Sequence, residues 1–492
     1  MSDTGNEIID ILEKNEQKAA KGRTRTKNTE KPKKPKKLTK KEQQILDVEA
    51  SIVMPDNYVL INTPELLERL VNYYKAYKTM YQGDAYVFLD TETYGLNNWK
   101  DGLISISIGF MSEQYFNIPM KPFLHEMSKD VPTLPFDVVA DRLRPLLEAD
   151  KLIVMANAKF DIHVLKNWAD IDITFNIHWD TMVMGGLLNE NKPKGLKEWY
   201  NTYALPWLID QRKMSPDELN RPTFKFGSMF DKTPFDSIPH RLANYYACHD
   251  VFMTRWVFQY QKQIVENPTY GLGGVYKLFR EVEMPLLAVF AVAERRGVEL
   301  DSKFLTNVIG KVLSEKLKDL KKEIFDVLGE TITLTRTRLR QREGIKFKEE
   351  YEVVEELNLG APAQLAQKLY VEHKILEPEM TYDMTLKKKV PKKSTSKKVL
   401  TRNKKKHKVI ELILEYRGLS KLIDAFCNKL PQDTVDGIIH CAYNQLVRTG
   451  RVSCSNPNLQ QIPSKFDLIR YAFRAAAGRL LVSADFSLRQ IA

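Results

Sequence analysis

The sequence of 492 residues is poor in cysteine, with only Cys248, Cys427, Cys441 and Cys454 and no C-x-x-C pair. Disulfide scaffolds and thiolate zinc sites need more cysteines at closer spacing, so both classes are excluded. No run of about 18 apolar residues occurs, which excludes a membrane-spanning helix by hydropathy. The first ten residues, MSDTGNEIID, lack the basic and apolar regions of a signal peptide. We therefore predict a cytoplasmic protein without membrane association.

Acidic residues are almost missing from two segments, although the whole chain has 63 of them against 75 basic residues and a formal net charge of +12. Residues 18–41 contain 12 Lys or Arg and one acid, and residues 386–408 contain 12 with no acid. The remaining residues, 51 basic and 62 acidic, have a net charge of −11. Two cationic segments on an acidic body favour contact with a polyanion such as nucleic acid over a purely solubilising role.

The length of the chain predicts two to four domains, and composition places their borders. Residues 1–50 are polar and basic and are predicted to form a disordered tail. Strand patterns, followed by alternating strands and helices, predict an α/β domain with a mixed sheet over 51–265. Long helical patterns follow over 266–440, with the basic insert 386–408 among them. The last region, 441–492, shows strand patterns at GIIHCAYNQL and RLLVSADFS.

Four acids of the α/β domain are placed where a metal site is expected. Asp90 and Glu92 follow the apolar strand AYVFL, and period two puts both carboxylates on one face. Asp161 follows the strand LIVMA, and Asp250 lies four residues after Tyr246 on one helix face. Four such carboxylates could hold two divalent cations about 3.5–4 Å apart, and hard oxygen ligands favour Mg²⁺ or Mn²⁺. Taken singly, each residue is as well explained as a cap, turn or core residue.

The segments that contain these residues, DTET (90–93), NAKFD (157–161) and YACHD (246–250), resemble the three motifs of DEDD-type 3′–5′ exonucleases of the tyrosine subtype. Later segments resemble family A DNA polymerases of the polymerase I type, in the order of that family. They are EMPLLAVFAVAERRGVELD (283–301), LNLGAPAQLAQKLY (357–370), LILEYRGLSKL (412–422), TGRVSCSNPNLQQIP (449–463) and IRYAFRAAAGRLLVSADFS (469–487).

This resemblance implies a ribonuclease H-like α/β exonuclease domain, then a mainly helical thumb and an incomplete α+β palm. It also implies roles for the candidate residues. Asp90, Glu92, Asp161 and Asp250 correspond to exonuclease metal ligands, and Tyr246 to the tyrosine that orients the attacking water. In addition, Asp485 corresponds to the first catalytic, metal-binding aspartate of the palm.

The resemblance further implies contacts with DNA, as primer-template and as a single-stranded 3′ end. The residues implied to bind it are Arg451, Asn458, Gln460, Lys421 and Asn157. From the residues alone, Arg451 would be a solvated arginine and Gln460 a turn residue. The sequence DFSLRQ (485–490) departs from the family pattern, because Gln490 stands where a glutamate normally screens the sugar of the incoming nucleotide.

Several functional interpretations remain open at this stage. The fingers and the second palm carboxylate are not found after Asp485, so we expect a second polypeptide to supply them, as in a split or phage-type polymerase acting in DNA replication. A decayed polymerase gene whose product is only an exonuclease is an alternative. So are a stand-alone DEDD exonuclease acting on DNA or RNA and a non-catalytic DNA-binding protein. A bacterial or phage-infected cell is the expected setting.

Overall fold

The computed structural model describes residues 39–191, 195–211, 213, 215, 218, 221–223, 233–342, 345–385, 387–462 and 467–484. The described residues fall into two compact units, one with residues 39–53 and one with the residues from 54 onward. The first unit contains a helix, Lys40–Ser51. The prediction of a disordered tail over 1–50 is therefore wrong for its last part. The reason is a capping box, in which Thr39 accepts from the Glu42 backbone and the Glu42 side chain accepts from the Thr39 backbone.

The α/β region of the second unit is built on a six-stranded sheet of order β1-β4-β3-β2-β5-β6. Strands β2, β3 and β4 pair antiparallel, whereas β1–β4, β2–β5 and β5–β6 are parallel pairs. The predicted mixed sheet is confirmed. Its strands are β1 Tyr58–Leu60, β2 Val87–Thr93, β3 Leu103–Phe110, β4 Tyr115–Pro119, β5 Ile153–Met155 and β6 Ile177–Asp180.

Helices cover this sheet, and their ends follow local sequence signals. The first begins at Pro64 because Thr63 accepts a hydrogen bond from the Leu66 backbone. The longest helix, 240–266, packs on β1 to β4 through a face that is buried for most of its length. The helices of this region are Pro64–Tyr81, Phe136–Ala149, Ala158–Ala169, Thr181–Leu188, Leu196–Trp199, Leu205–Asp210 and His240–Glu266.

The region after residue 266 is mainly helical up to about residue 430, as predicted. Two long helical stretches, 304–328 and 408–429, pack against each other and form a common apolar core. Gly297 ends the helix Met284–Arg296, and Gly329 ends the helix Gly310–Leu328. Each has a positive φ, which glycine adopts without strain. The α-helices here are Gly273–Leu278, Met284–Arg296, Gly310–Leu328, Pro362–Ala366, Lys397–Arg402, Lys408–Leu422 and Asp467–Arg470.

Two hairpins interrupt this helical region, and the sequence patterns did not predict them. Strands β8 Thr331–Arg342 and β9 Ile345–Glu356 pair antiparallel along their whole length. Strands β10 Glu379–Asp383 and β11 Lys388–Lys392 form the second hairpin. The basic insert 386–408 is thus largely ordered, because it contributes β11 and the helix Lys397–Arg402.

The C-terminal region contains short strands, and one predicted strand is missing from it. β7 Val298–Leu300 pairs with β12 Ile438–Ile439 and β15 Phe473–Arg474, and β13 Ala442–Asn444 pairs with β14 Ser453–Ser455. The predicted strand RLLVSADFS is wrong for its described residues, 479–484, which have no strand partner. A strand needs a neighbour for its backbone hydrogen bonds, and Leu480 and Val482 are exposed instead. No helix among the described residues is long and apolar enough to span a membrane.

Candidate active site

Strand β2 holds two of the predicted acids at its carboxyl end. Asp90 and Glu92 alternate with Thr91 along the strand, and they lie opposite Ser107 and Ser105 of β3. The pairing shifts by a bulge between Glu92 and Thr93. Bulges of this kind redirect side chains and are common beside active sites. β2 thus ends at Thr93, directly after its two carboxylates.

The third acid, Asp161, lies in the first turn of the helix 158–169, directly after β5. Its Oδ1 accepts hydrogen bonds from the Thr91 backbone amide at 3.0 Å and from the Thr91 hydroxyl at 2.5 Å. These bonds join the helix to β2 between Asp90 and Glu92. Asp161 is 3% exposed and lies inside the helix, whose N-cap is Asn157. It is therefore not a helix cap.

The long helix 240–266 brings the remaining two residues to the same place. Tyr246 and Asp250 are one turn apart and are both largely buried. The carboxylates of Asp90, Glu92 and Asp250 each offer an oxygen within 4.8 Å of the others. Asp161 is outside this group of three, but its charge acts on Asp90. The structure thus assembles residues from three separate parts of the sequence at one end of the sheet.

Electrostatics at this site are dominated by burial of like charges. Burial raises the pKa of Asp90 well above its usual range, and the charges of Asp161 and Glu92 raise it further. Burial and the charge of Asp250 do the same to the pKa of Glu92. Burial also raises the pKa of Asp161, to about 7, although the hydrogen bonds from Thr91 oppose the shift. A cation bound among these buried acids would offset the repulsion between their charges.

The donor atoms fit a divalent metal. Glu92 Oε1 and Asp250 Oδ1 are shielded from solvent and have no hydrogen-bond partner among the described residues. Unsatisfied buried carboxylate oxygens are costly unless a cation or water completes them. All the candidate ligands are oxygens, which suits Mg²⁺ or Mn²⁺ better than the softer metals. The ligand roles of Asp90, Glu92 and Asp250 are therefore consistent with their surroundings.

Two further residues at the site have no counterpart in the sequence-based predictions. Asp180 is buried and accepts from the backbone amides of Asn157 and Ala158 and from those of the next helix. It fixes the start of the helix that carries Asp161, and its position before a helix was a visible capping signal. The other is Lys197, which donates to the Tyr246 hydroxyl at 2.5 Å and to Asp250 Oδ2 at 3.1 Å. No local pattern identified Lys197.

A cavity of about 1410 Å³ adjoins the α/β region, and three predicted DNA-binding residues line it. Asn157 and Phe160 line it at the start of the helix that carries Asp161, and Lys421 lines it from the helix 408–422. Asn458 lines it from residues 449–462, the signature segment. Asn157 has a positive φ of 65°, which turns the chain between β5 and its helix. Residues more than 250 positions apart in the sequence thus share one concave surface.

The signature segment contains β14 and a short turn over Leu459–Gln461, and its residues Arg451, Asn458 and Gln460 are exposed. Asn458 accepts from the Gln460 backbone amide, and the Gln460 side chain donates to the Val452 carbonyl. Both side chains therefore support the local fold, which agrees with the turn interpretation of Gln460. Arg451 is exposed beside them, and its contact with DNA stays a prediction. Asp485 and Gln490 lie outside the described residues.

A buried acid joins the exonuclease-like region to the region that follows it. Glu294, 3% exposed, accepts from Lys159 Nζ, from His163 Nε2 at 2.7 Å and from the Tyr443 backbone amide at 2.6 Å. Lys159 also donates to the Tyr443 carbonyl. Lys159 and His163 lie on the helix that carries Asp161. The contacts of Glu294 are therefore within one helical turn of Asp161.

Comparison with known proteins agrees with this arrangement. Residues 58–266 match the family model of the 3′–5′ exonuclease, and residues 329–491 match that of DNA polymerase family A. DNA polymerase I of Pseudomonas aeruginosa is 27% identical over 413 residues, which cover 82% of this chain and 39% of that protein. The thermostable DNA polymerase I of Thermus aquaticus is 36% identical over 217 residues, or 43% of this chain and 22% of that protein.

A solved structure shows the same fold. The POL domain of Pol1 from M. smegmatis, in complex with DNA primer-template and dNTP, superposes with a TM-score of 0.53 at 17% identity, covering 85% of this chain and 59% of that one. The two family models thus place an exonuclease domain before a polymerase region in this chain. These matches confirm the resemblance of the motifs to family A DNA polymerases with a 3′–5′ exonuclease domain, and the chain spans 39% of the length of the Pseudomonas relative.

Proposed function

We propose that this chain is a metal-dependent 3′–5′ exonuclease that removes nucleotides from DNA 3′ ends, as the proofreading part of a family A DNA polymerase. The observation that carries the proposal is the meeting of Asp90, Glu92 and Asp250 within 4.8 Å, beside Tyr246. The match of residues 58–266 to the exonuclease model supports it. Activity in the cytoplasm, in a bacterial or phage-infected cell, is part of the same proposal.

The chain's own residues supply ligands and a fixed hydroxyl. Asp90, Glu92 and Asp250, with Asp161 behind them, would hold two divalent ions, which lower the pKa of a bound water and offset charge on the phosphate. Burial raises the pKa of Tyr246, so its hydroxyl keeps its proton. A protonated tyrosine can both donate and accept hydrogen bonds, and it would orient the attacking water.

Nucleotide release from end-labelled oligonucleotides tests this proposal directly. A 3′ label should be released first, release should stop with EDTA, and Mg²⁺ or Mn²⁺ should restore it. Single-stranded DNA and a duplex with a mismatched 3′ end should be cut faster than a paired end, because the strand must enter the site unpaired. Metal-independent release, or release from the 5′ end, would contradict the proposal. Preference for RNA would favour the stand-alone RNA exonuclease.

We also propose that the primer strand passes through the cavity lined by Asn157, Lys421 and Asn458. Both the helix 158–169 and the signature segment line this cavity. A frayed end would therefore travel between the α/β region and the region that contains the signature segment. Asn157 and Asn458 offer amides to bases or sugars, whereas Lys421 offers a cation to phosphate.

The ordered part of the basic insert is expected to contact the backbone of the duplex. Strand β11 has exposed lysines, among them Lys388 and Lys389. Changing both to Gln should weaken primer-template binding and lower the slope of log Kd against log salt by about 2, since each phosphate contact contributes about 0.9. The paired control changes Lys75 and Lys129 of the exonuclease domain and should leave the slope as it was. An equal slope for both pairs would dismiss the contact.

The polymerase function is proposed with an additional requirement. DNA synthesis in this family needs a second palm carboxylate and a fingers region besides Asp485. We propose that another part of the polymerase supplies them, and the sequence-based expectation of a second polypeptide stays a prediction.

A further inference from the structure

Lys197 occupies a place in the acidic cluster that the proposed chemistry does not explain. Its side chain is 12% exposed and comes from the short helix 196–199, not from any of the three exonuclease motifs. Its ammonium group lies 4.0 Å from the centre of the Tyr246 ring, besides its hydrogen bonds to the Tyr246 hydroxyl and Asp250 Oδ2. Burying a lysine in this way is costly unless its charge is compensated, so the contacts are specific.

The contacts of Lys197 leave one carboxylate oxygen of Asp250 without a partner. Asp250 uses Oδ2 for Lys197, whereas its Oδ1 is the oxygen without a partner. Tyr246 accepts the lysine's hydrogen bond at its oxygen, and its side chain also hydrogen-bonds that of Asp250. One ammonium thus sets the orientation of a candidate metal ligand and of the candidate water-orienting hydroxyl relative to each other.

Resting on the proposed exonuclease function, we propose that Lys197 is a positioning residue for hydrolysis, which holds Tyr246 and Asp250 in their working arrangement. Tyr246 and Asp250 project from one helix and hydrogen-bond each other, but both belong to that single element, so their contact does not tie them to the rest of the site. A donor from another element restricts both side chains at once. A displacement of about 1 Å at a reacting group costs about 100-fold in rate, so a large kinetic effect follows.

Removing the Lys197 ammonium should also strengthen metal binding, although it slows hydrolysis. The ammonium repels a divalent ion placed among Asp90, Glu92 and Asp250 and competes for one oxygen of Asp250. Without it, Mn²⁺ should bind more tightly to the DNA-free protein although the rate falls. A residue that merely supports the fold would lower rate and metal affinity together.

The experiment compares the full chain with Lys197→Met, Tyr246→Phe and the double variant, using single-turnover release from a 3′-labelled strand and Mn²⁺ titration calorimetry. Lys197→Met should lower the rate about 100-fold with little change in KM, and by at most about tenfold in the Tyr246→Phe background, because the two residues act as a unit. Mn²⁺ binding should become tighter. The matched control, Lys129→Met, changes a surface lysine paired with Glu126 and should leave both measurements unchanged.

Three results would overturn the inference while the wild type remains active: an unchanged rate, a full 100-fold loss in the Tyr246→Phe background, or weaker Mn²⁺ binding. If Lys197→Met does not fold, Lys197→Arg enters the same cycle, since it keeps the charge but alters the donor geometry. It should show the same non-additivity with Tyr246→Phe, and additive losses would again overturn the inference. A wild-type chain without metal-dependent release would instead contradict the proposed exonuclease function.

Discussion

Changing Asp90 to Asn and Glu92 to Gln together is expected to abolish nucleotide release from DNA 3′ ends and to make the metal-free protein more stable. Both carboxylates are candidate metal ligands, and losing several kcal/mol of charge stabilisation in the transition state lowers the rate by about three orders of magnitude or more. DNA binding should persist, because the cavity residues and the exposed lysines of β11 are unchanged.

The metal-free double variant should be more stable than the wild type because it lacks two buried carboxylates that repel neighbouring acids. Burial raises the pKa of both groups, and each is also raised by neighbouring acids. Carboxyl groups whose pKa is raised on folding favour the folded state at low pH, and that contribution is lost as the pH rises above their ordinary values. The neutral amides remove this loss, so the advantage of the double variant should grow as the pH rises above the ordinary carboxyl range and should vanish when metal is bound to the wild type.

The measurements are single-turnover nucleotide release, fluorescence anisotropy of a single-stranded oligonucleotide in EDTA, and thermal unfolding in EDTA at several pH values. Asp137→Asn, an exposed position in the helix 136–149, is the matched control and should change none of them. Wild-type release by the double variant would remove these residues from catalysis. Lower stability of the double variant in EDTA would show that the carboxylates support the fold.

Changing Glu294 to Ala should cost about 3–5 kcal/mol of unfolding free energy, because it leaves the Lys159 ammonium without its buried counter-charge. Burial raises the pKa of Glu294, but the hydrogen bond from His163 and the charge of Lys159 outweigh it and hold the pKa below its usual value. Burial lowers the pKa of His163, so the histidine donates as a neutral ring. A depressed carboxyl pKa stabilises the fold at neutral pH, and this contribution is lost as the pH falls through the acid range.

Denaturant unfolding followed by tryptophan fluorescence measures this cost. Glu281→Ala is the control, since Glu281 is exposed on the same helical stretch and lies 3.9 Å from Lys277. An exposed pair of this kind is worth at most about 1 kcal/mol. Similar costs for the two variants would show that the Glu294 junction contributes no more than a surface ion pair.

Much of the α/β region was predictable because its signals are local. The apolar runs that became β3 and β5, and the cap at Thr63, depend on residues within one strand or one turn. The ladder of β8 and β9 was missed because arginines and glutamates interrupt its apolar face, and it is held largely by backbone bonds and cross-strand pairs such as Arg338–Glu349. Its alternating apolar residues, Ile332 and Leu334 on β8 and Tyr351 and Val353 on β9, fill only part of one face and were not recognised as strand signals.

The sequence by itself determined the family, the four candidate acids and the tyrosine, because short motifs keep residue types and spacing that the chemistry requires. Only the tertiary structure decided which charges face each other. Lys197 meets Tyr246 and Asp250 across about 50 positions, and Glu294 meets Lys159 across 135. Such pairs form when packing brings distant helices together, and the free energy that selects them comes from burial of the whole core, which no local pattern of residues encodes.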